Sequence, residues 1–162
     1  MKRRLIALLV ALTSLFAGRP VHASVGASVD VSAAEQLFLD LLNADRITAG
    51  LPALTPDPRL ADIARWRSED MVARNYIGHD IGGYTVGRLL HDRSVPFILA
   101  GENIVSNTYG DSSTVARAQE ELMRSAAHRE NILRPEYNLV GVGVALGPNG
   151  RTVYTQIFIQ GA

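Results

Sequence analysis

The chain has 162 residues, a length that suits one globular domain and leaves little room for two. Its 16 basic and 16 acidic residues cancel, so it lacks the strong basic field that holds a nucleic acid. Apolar residues make up 47% and charged residues 20%, a composition typical of a folded domain rather than a disordered chain. No cysteine is present, which excludes disulfides, thiolate nucleophiles and cysteine-bound zinc.

The first 23 residues have the three parts of an export signal. Residues 2–4 are basic, residues 5–12 are an unbroken apolar run, and Val21-His22-Ala23 offers a small-residue cleavage site. The apolar run is shorter than the roughly 20 residues that span a bilayer. We therefore predict a cleavable signal peptide over residues 1–23, with an uncleaved anchor or a core helix as the alternatives.

Removal of the predicted leader changes the charge and defines the expected domain layout. The leader holds four of the 16 basic residues and no acidic residue, so 12 basic and 16 acidic residues remain and the net charge becomes about −4. A flexible segment is expected over residues 24–31 and one folded domain over residues 32–162. The protein is predicted to be secreted, periplasmic or part of the cell envelope, with no stable membrane span after leader removal.

Helical patterns occupy most of the domain. The stretch Ser32–Glu35 has the Ser-x-x-Glu spacing of a capping box that opens a first helix, and Gly50 is its predicted stop. Asp57-Pro58 starts a second helix, with an acceptor at the cap and a proline in the first turn. A short helix is predicted over Thr85–Asp92.

A third long helix and a hairpin complete the predicted elements. The helix fits Asp111 to Ala127, and if it holds to its end, Ser125 and His128 lie three positions apart on one face. Apolar and small residues then alternate over residues 139–146 and again over 153–159, on either side of a Gly-Pro-Asn-Gly turn. Helices followed by a hairpin predict an α+β fold.

Five residues are assigned to packing rather than to function. Gly141 and Gly143 alternate with valines on one strand face, which predicts the close approach of a helix or loop. Asn43 and Arg46 are expected to brace the first helix against neighbouring loops. Trp66, the only tryptophan, is expected in the core or in a groove wall rather than as a substrate platform.

Four side chains are the candidates for chemistry. His79 follows the second helix, Glu102 lies in a short polar step between apolar stretches, and Ser125 and His128 close the third helix. Each has a structural alternative, since the helix dipole favours a histidine at a helix end and a buried glutamate can hold a loop. The sequence contains no H-E-x-x-H, G-x-S-x-G or phosphate-loop motif.

A series of short motifs runs through the domain in a fixed order. The motifs are Asn43-x-x-Arg46, Tyr76-x-x-His79, Gly101-Glu102-Asn103-Ile104, Ser125-x-x-His128-Arg129, Tyr137-x-x-x-Gly141 and Tyr154-x-Gln156-x-Phe158. This series resembles the CAP superfamily, also called the SCP domain, which includes cysteine-rich secretory proteins, antigen 5 and plant pathogenesis-related proteins. The resemblance is to its exported bacterial members in particular and covers about residues 32–160. Each motif is loose alone, whereas their joint order is specific.

The resemblance implies a three-layer α-β-α sandwich, with helices on both faces of a central antiparallel sheet. Periodicity alone indicates the helices and one hairpin, so the resemblance also implies a strand that periodicity misses. That strand is expected near Ile98–Val105 or in the segment after His79.

The resemblance also implies a cleft lined by two histidines and two acidic residues. Carried over by motif, these are His79, His128 and Glu102, while Ser125 occupies the second acidic position. Two neutral imidazoles suit a divalent metal, zinc above all, so His79 and His128 are the expected metal ligands. Glu102 would orient a histidine or act as base on bound water. A metal-free alternative uses Ser125 as nucleophile, His128 as base and Glu102 as orienting acid.

Three functions remain open, of which a binding module is preferred. In that interpretation the chain is an exported CAP-domain protein whose cleft takes a small hydrophobic ligand, a divalent metal or both. The alternative is a metal-dependent hydrolase of the cell envelope or extracellular space, and the third is a purely structural secreted domain. The expected partner is a small hydrophobic ligand or an envelope component, not a nucleic acid, and the protein is expected to be a monomer.

Overall fold

The computed structural model of the protein describes residues 30–80, 82–109 and 113–161. The predicted leader over residues 1–23 lies outside these residues, as does most of the predicted flexible segment. The α-helices among the described residues are α1 Val31–Thr48, α2 Pro58–Ala73, α3 Val86–Asp92, α4 Thr114–Arg124 and α5 Ala126–Ile132. The strands are β1 Thr55–Pro56, β2 Leu99–Asn107, β3 Leu139–Leu146 and β4 Thr152–Gln160.

The strands form one sheet in the order β1-β3-β4-β2. β4 pairs antiparallel with β3 on one side and with β2 on the other, and the two-residue β1 pairs parallel with β3. Helices α1, α4 and α5 cover one face of the sheet, and α2 and α3 cover the other. The predicted α+β sandwich is confirmed, with β1 as its one parallel pairing among the described strands. The strand implied near Ile98–Val105 is β2, at the edge of the sheet.

Strand β4 carries the core because it is buried on both faces. Tyr154 and Phe158 pack with Phe38 and Leu42 of α1 on one side, while Ile157 packs against α2 and α3 on the other. Each large apolar side chain that is fully buried contributes about 1.5–3 kcal/mol to stability. In this cysteine-free chain, apolar burial on both faces of β4 provides stability that disulfides provide in small secreted domains.

Helix α2 lies unusually close to β3 because two strand positions have no side chain. A Cβ atom at Gly141 would overlap the backbone between Leu60 and Ala61. A Cβ atom at Gly143 would likewise overlap the backbone of Ala64 and the residue after it. The predicted close approach of a helix at these two glycines is confirmed.

The start of α1 differs from the predicted capping box. The Asp30 carboxylate accepts hydrogen bonds from the backbone N–H groups of Ser32 and Ala33, at 3.0 and 3.3 Å, so Asp30 is the N-cap. Glu35 turns away from the helix start and binds Arg65 at 2.7 and 3.0 Å. The capping box at Ser32 is wrong because a partner on α2 outcompetes the helix's own N–H groups for Glu35. Helix α1 therefore begins at residue 31, inside the segment expected to be flexible.

The ends of the first two helices follow the sequence signals. α1 ends at Thr48, and Gly50 adopts the left-handed conformation after it, with φ of 78°. α2 begins at Pro58, where the Asp57 carboxylate accepts from the backbone N–H of Arg59 at 2.8 Å. The predicted short helix is also confirmed, since Thr85 is the N-cap of α3.

The third long helix is broken, contrary to its prediction. α4 ends at Arg124, Ser125 is extended with φ of −80° and ψ of 122°, and α5 starts at Ala126. Two residues of the predicted span, 111 and 112, lie outside the described residues. Neither glycine nor proline marks the break. Instead, the Asn103 side chain donates to the backbone carbonyl of His128 at 3.0 Å and holds α5 against β2.

Asn43 and Arg46 brace α1, as predicted. The Asn43 amide exchanges two hydrogen bonds with the backbone of Leu54, at 2.8 and 3.1 Å. The buried Arg46 guanidinium donates to the carbonyls of Pro52, Ile132 and Arg134 at 2.7–3.0 Å. Because Ile132 is the last residue of α5, this cation also satisfies a carbonyl at the negative end of that helix.

Candidate functional site

The candidate residues gather around the edge strand β2. Glu102 lies in β2, His79 lies in the loop that follows α2, and His128 lies in the first turn of α5. Successive side chains of a strand point to opposite faces, so Glu102 faces α2 and Asn103 faces α5. The His79 ring therefore contacts Glu102 on one face of the sheet, and the backbone carbonyl of His128 contacts Asn103 on the other.

A buried ion pair stands behind His79. The Arg67 Nε donates to Glu102 Oε1 at 2.8 Å, and Arg67 Nη2 donates to Glu102 Oε2 at 3.1 Å. Arg67 Nη2 also donates to the carbonyl of Gly78 at 2.9 Å, which fixes the residue before His79. The side chains of Arg67 and Glu102 are 0% and 3% exposed. Such a fork-to-fork pair holds the carboxylate in one orientation.

His79 is held at the surface by this pair. Its Nδ1 lies 2.9 Å from Glu102 Oε2, while its side chain is 58% exposed. A carboxylate only accepts hydrogen bonds, so in the neutral ring Nδ1 carries the proton and Nε2 keeps the lone pair. The Glu102 hydrogen bond raises the pKa of His79, against the smaller opposing effects of burial and of Arg67.

His128 is in a different electrostatic environment. Its side chain is half-buried, and burial lowers its pKa, with a further lowering by the charge of nearby His79. Its ring makes no hydrogen bond to another described residue. The site therefore combines one exposed imidazole that favours the cationic form with one half-buried imidazole that favours the neutral form.

Ser125 does not form a dyad with His128. It lies at the junction of α4 and α5 in an extended conformation. The predicted shared helix face required a helix that is unbroken to its end, and this condition is not met. Its side chain makes no capping hydrogen bond to α5. Within the described part of the chain, no hydrogen bond joins its hydroxyl to His128.

The sequence interpretation missed a buried polar network that positions α5. Asn103 donates to Gln156 at 3.1 Å and accepts from Asn131 at 3.0 Å. Asn131 also donates to the outward carbonyl of Glu102 at 3.3 Å, which uses a free acceptor of the edge strand. Gln156 in turn donates to Gln119 of α4 at 2.8 Å. Gln156 was the available signal, since it lies in the alternating run over residues 153–159 and a buried amide requires partners.

Arg67 was also missed as a site residue, although its signal was visible. It shares the apolar face of α2 with Leu60, Ile63, Ala64 and Met71, all of which are buried. A charged residue on such a face is expected to have a buried partner. The sequence did not say which acid that partner would be, because Glu102 is 35 positions away.

The donors present suit zinc in kind but not in number. His79 presents a carboxylate-backed imidazole with Nε2 available, the arrangement found behind metal-bound histidines. A resident zinc takes three or four protein ligands. Across residues 30–80, 82–109 and 113–161, no group of three or more His, Asp or Glu side chains is placed to hold a metal ion. The described site therefore does not fit a resident zinc cofactor.

None of the described helices combines the length and the apolar character needed to cross a bilayer.

A family profile, that of the cysteine-rich secretory protein family (CAP), matches residues 39–158. YkwD of Bacillus subtilis, an uncharacterized protein, is 32% identical over 139 residues, which are 85% of this chain and 51% of YkwD. The chain thus spans about half the length of that relative.

Two solved structures share the fold. An extracellular SCP-domain protein of Bacillus anthracis is 35% identical with a TM-score of 0.70, over 80% of this chain and 41% of that one. An outer surface protein of Borrelia burgdorferi has a TM-score of 0.75 at 17% identity, over 85% of this chain and 99% of that one, and shares the fold alone. The motif order, the sandwich and the profile match agree: the chain belongs to the cysteine-rich secretory protein (CAP) family.

Proposed function

We propose that this CAP domain is an exported binding module whose cleft presents His79 and His128 to a ligand. One observation carries the proposal: the buried Arg67–Glu102 pair orients a single exposed imidazole. Burying two charges is unfavourable unless their geometry is good. Here the buried pair holds His79 at the surface, because Glu102 binds its ring and Arg67 binds the carbonyl of Gly78. A preorganised binding site requires that the side chain which touches the ligand be held in place by its neighbours, as the His79 imidazole is here.

The same geometry argues against hydrolysis as the function. The Glu102 side chain is only 3% exposed, and its oxygens are engaged by Arg67 and His79, so it has little access to a water that it could activate. Ser125 lacks the hydrogen-bonded base that activates a serine nucleophile. Glu102 is thus a positioning residue for His79, and binding is what the remaining groups support.

Zinc is proposed as an exchangeable ligand of this cleft rather than a resident cofactor. His79 and His128 would hold it, because both offer imidazole nitrogens and Glu102 already orients the first of them. Metal binding competes with protons at a histidine, so affinity is expected to rise as the pH passes above the raised pKa of His79. The second proposed ligand is a small hydrophobic molecule such as a sterol or fatty acid.

Thermal melting with added zinc tests the metal arm. A ligand that binds only the folded state raises the melting temperature, and His79→Ala and His128→Ala are each expected to abolish that rise. His91→Ala is the matched control, because His91 lies on α3 with its side chain 85% exposed. A rise that persists in His79→Ala would show that zinc binds elsewhere.

Lipid uptake by delipidated protein tests the other arm. Cholesterol and palmitate are the probes, and uptake of either is expected to fall in His79→Ala relative to His91→Ala. If the protein takes up neither lipid and zinc leaves the melting temperature unchanged, the binding-module proposal is wrong. Hydrolysis of peptide or ester substrates that is lost in Ser125→Ala or Glu102→Gln, with folding intact, would favour the enzyme instead.

A further inference from the structure

A cavity lies on the outer side of the sandwich, between α2 and α3. It has a volume of about 510 Å³, within the range of small-molecule sites. Trp66 of α2 and Tyr84 in the loop before α3 line it with aromatic rings, and Leu89 of α3 lines it with an aliphatic side chain. None of His79, Glu102 and His128 lines it, so this α2–α3 groove is separate from the histidine cleft. The prediction that Trp66 lies in the core or in a groove wall is confirmed.

Four charged side chains line the groove, namely Asp70, Arg74, Asp92 and Arg93, and the first three of them are in ion pairs. Asp70 is bound by Arg74 and by the Tyr76 hydroxyl, the latter at 2.6 Å. Asp92 is bound by Arg88 at 3.2 Å. Arg93, by contrast, has no carboxylate partner among the described residues.

The partner of Arg93 is an aromatic face. Its guanidinium carbon lies 5.8 Å from the centre of the Trp66 ring, within the distance of a cation–π contact. The side chain is exposed, so its hydrogen-bond donors remain available to a ligand. A guanidinium with free donors thus lies over the Trp66 ring inside the groove and covers that face of the ring.

These groups select a chemistry. A guanidinium binds a carboxylate through two parallel hydrogen bonds, and the Tyr84 ring offers an apolar face to the C–H groups on one side of a saturated ring. The polar pair Asp70 and Arg74 offers an acceptor and donors to hydroxyl groups. An alkyl chain would have to lie against that ion pair, which disfavours a fatty acid.

We propose that the α2–α3 groove binds an acidic sugar, a pyranose ring that carries a carboxylate. The carboxylate pairs with Arg93 above Trp66, the C–H face of the ring lies against Tyr84, and the hydroxyls meet Asp70 and Arg74. This proposal does not depend on the histidine cleft, since the two sites share no lining residue.

Tryptophan fluorescence tests the proposal directly, because Trp66 is the only tryptophan and lines the groove. The probes are D-glucuronate, D-glucose and cyclohexanecarboxylate, which separate the carboxylate from the hydroxylated ring. Glucuronate is expected to change the emission saturably. Glucose is expected to bind at least about tenfold more weakly because it lacks the carboxylate that pairs with Arg93, and cyclohexanecarboxylate is expected to do so because it lacks the hydroxyl groups. No saturable change with glucuronate, or equal binding of cyclohexanecarboxylate, would overturn the proposal.

Variants locate the binding. Arg93→Gln is expected to weaken glucuronate binding about tenfold and to remove the preference over glucose. Arg124→Gln is the matched control, because Arg124 is an exposed arginine on α4, across the sheet from the groove. His79→Ala is expected to leave glucuronate binding unchanged, so failure here is distinguishable from failure of the histidine cleft. Equal weakening in Arg93→Gln and Arg124→Gln would mean nonspecific anion binding and would contradict the site.

Discussion

At the scale of single residues, the buried pair of Arg67 and Glu102 dominates the energetics of the candidate site. Both side chains are almost fully buried, and their hydrogen bonds also fix Gly78 and His79. A buried pair adds little over an apolar replacement of both members, but loss of one member leaves an unpaired charge in a poorly solvating environment. Single substitutions at this pair are therefore far more severe than those at surface pairs.

Glu102→Gln is expected to lower the free energy of unfolding by about 3–5 kcal/mol, because Arg67 keeps its charge without a counterion. It should also bring the pKa of His79 down towards its ordinary value, since the hydrogen bond that raises it loses its charge. Urea denaturation and an NMR titration of the His79 ring measure the two effects. Asp92→Asn, which removes the acid of an exposed pair with Arg88, is the control and should leave the urea midpoint unchanged.

The two histidines are expected to affect stability in opposite directions with pH. The folded-state pKa of His79 is raised, so its contribution is complete below the ordinary value of 6.5 and is lost as the pH rises through the raised pKa. The folded-state pKa of His128 is lowered, so His128 destabilises the fold as the pH falls below 6.5. Unfolding free energies measured from pH 5 to 8 for the wild type, His79→Gln and His128→Gln test both signs. A flat difference curve for either variant would contradict the assigned electrostatics.

At the scale of elements, the contact between α2 and β3 positions the residues of the candidate site. Gly141 and Gly143 let the helix backbone approach the strand, and this approach puts Arg67 within reach of Glu102 across β4. The break between α4 and α5 has a similar role on the other face, where Asn103 fixes the carbonyl of His128. Both histidines thus depend on how helices lie against the sheet.

Gly143→Ala is expected to destabilise the protein by about 3 kcal/mol, because the new methyl group must displace the α2 backbone at Ala64. The displacement should also weaken the hydrogen bond between Glu102 and His79, which the His79 pKa reports. Gly87→Ala in α3 is the matched control: its methyl group would make only an ordinary contact with Phe97, at 3.8 Å. That control should be stabilised by about 0.5–1 kcal/mol, as expected for glycine in a helix. Equal effects of the two substitutions would contradict the close-approach role of Gly143.

At the scale of the whole molecule, a cysteine-free sandwich has to join distant parts of the chain by noncovalent contacts. Arg46 does so by linking α1 to the carbonyls of Ile132 and Arg134, which are 86 and 88 positions away. Among the described residues it has no carboxylate partner, and burial lowers its pKa. Its role is therefore to satisfy buried carbonyls rather than to form an ion pair.

Arg46→Met is expected to lower the free energy of unfolding by about 3–5 kcal/mol, since three carbonyls lose their donor at once. Arg46→Lys should recover only part of this, because one ammonium group cannot reproduce the planar fork. Arg124→Met removes an arginine that is 79% exposed and should leave the urea midpoint unchanged. Full recovery by lysine would mean that charge alone, and not the geometry of the fork, is what the site needs.

Local signals in the sequence predicted most helices and the hairpin, because caps, turn residues and apolar periodicity act over a few neighbouring positions. Asp57-Pro58, Gly50 and the turn before Arg151 are of this kind, and each lies where expected. β2 left no such signal, since its buried Glu102 and Asn103 interrupt the alternation of apolar residues. Only the motif order implied a strand there.

The sequence by itself determined the CAP family and the α+β class, and it singled out two histidines and a glutamate as candidates for a site, since these follow from motifs and local patterns. The tertiary structure decided which groups those residues meet. It decided that Asp30 caps α1, that the third long helix breaks at Ser125, and that Arg67 holds Glu102. Each outcome depends on partners that are 25 or more positions away or on competition between a local and a distant hydrogen bond. Local sequence patterns carry no record of such pairings, because the partners come together only when the helices lie on the sheet.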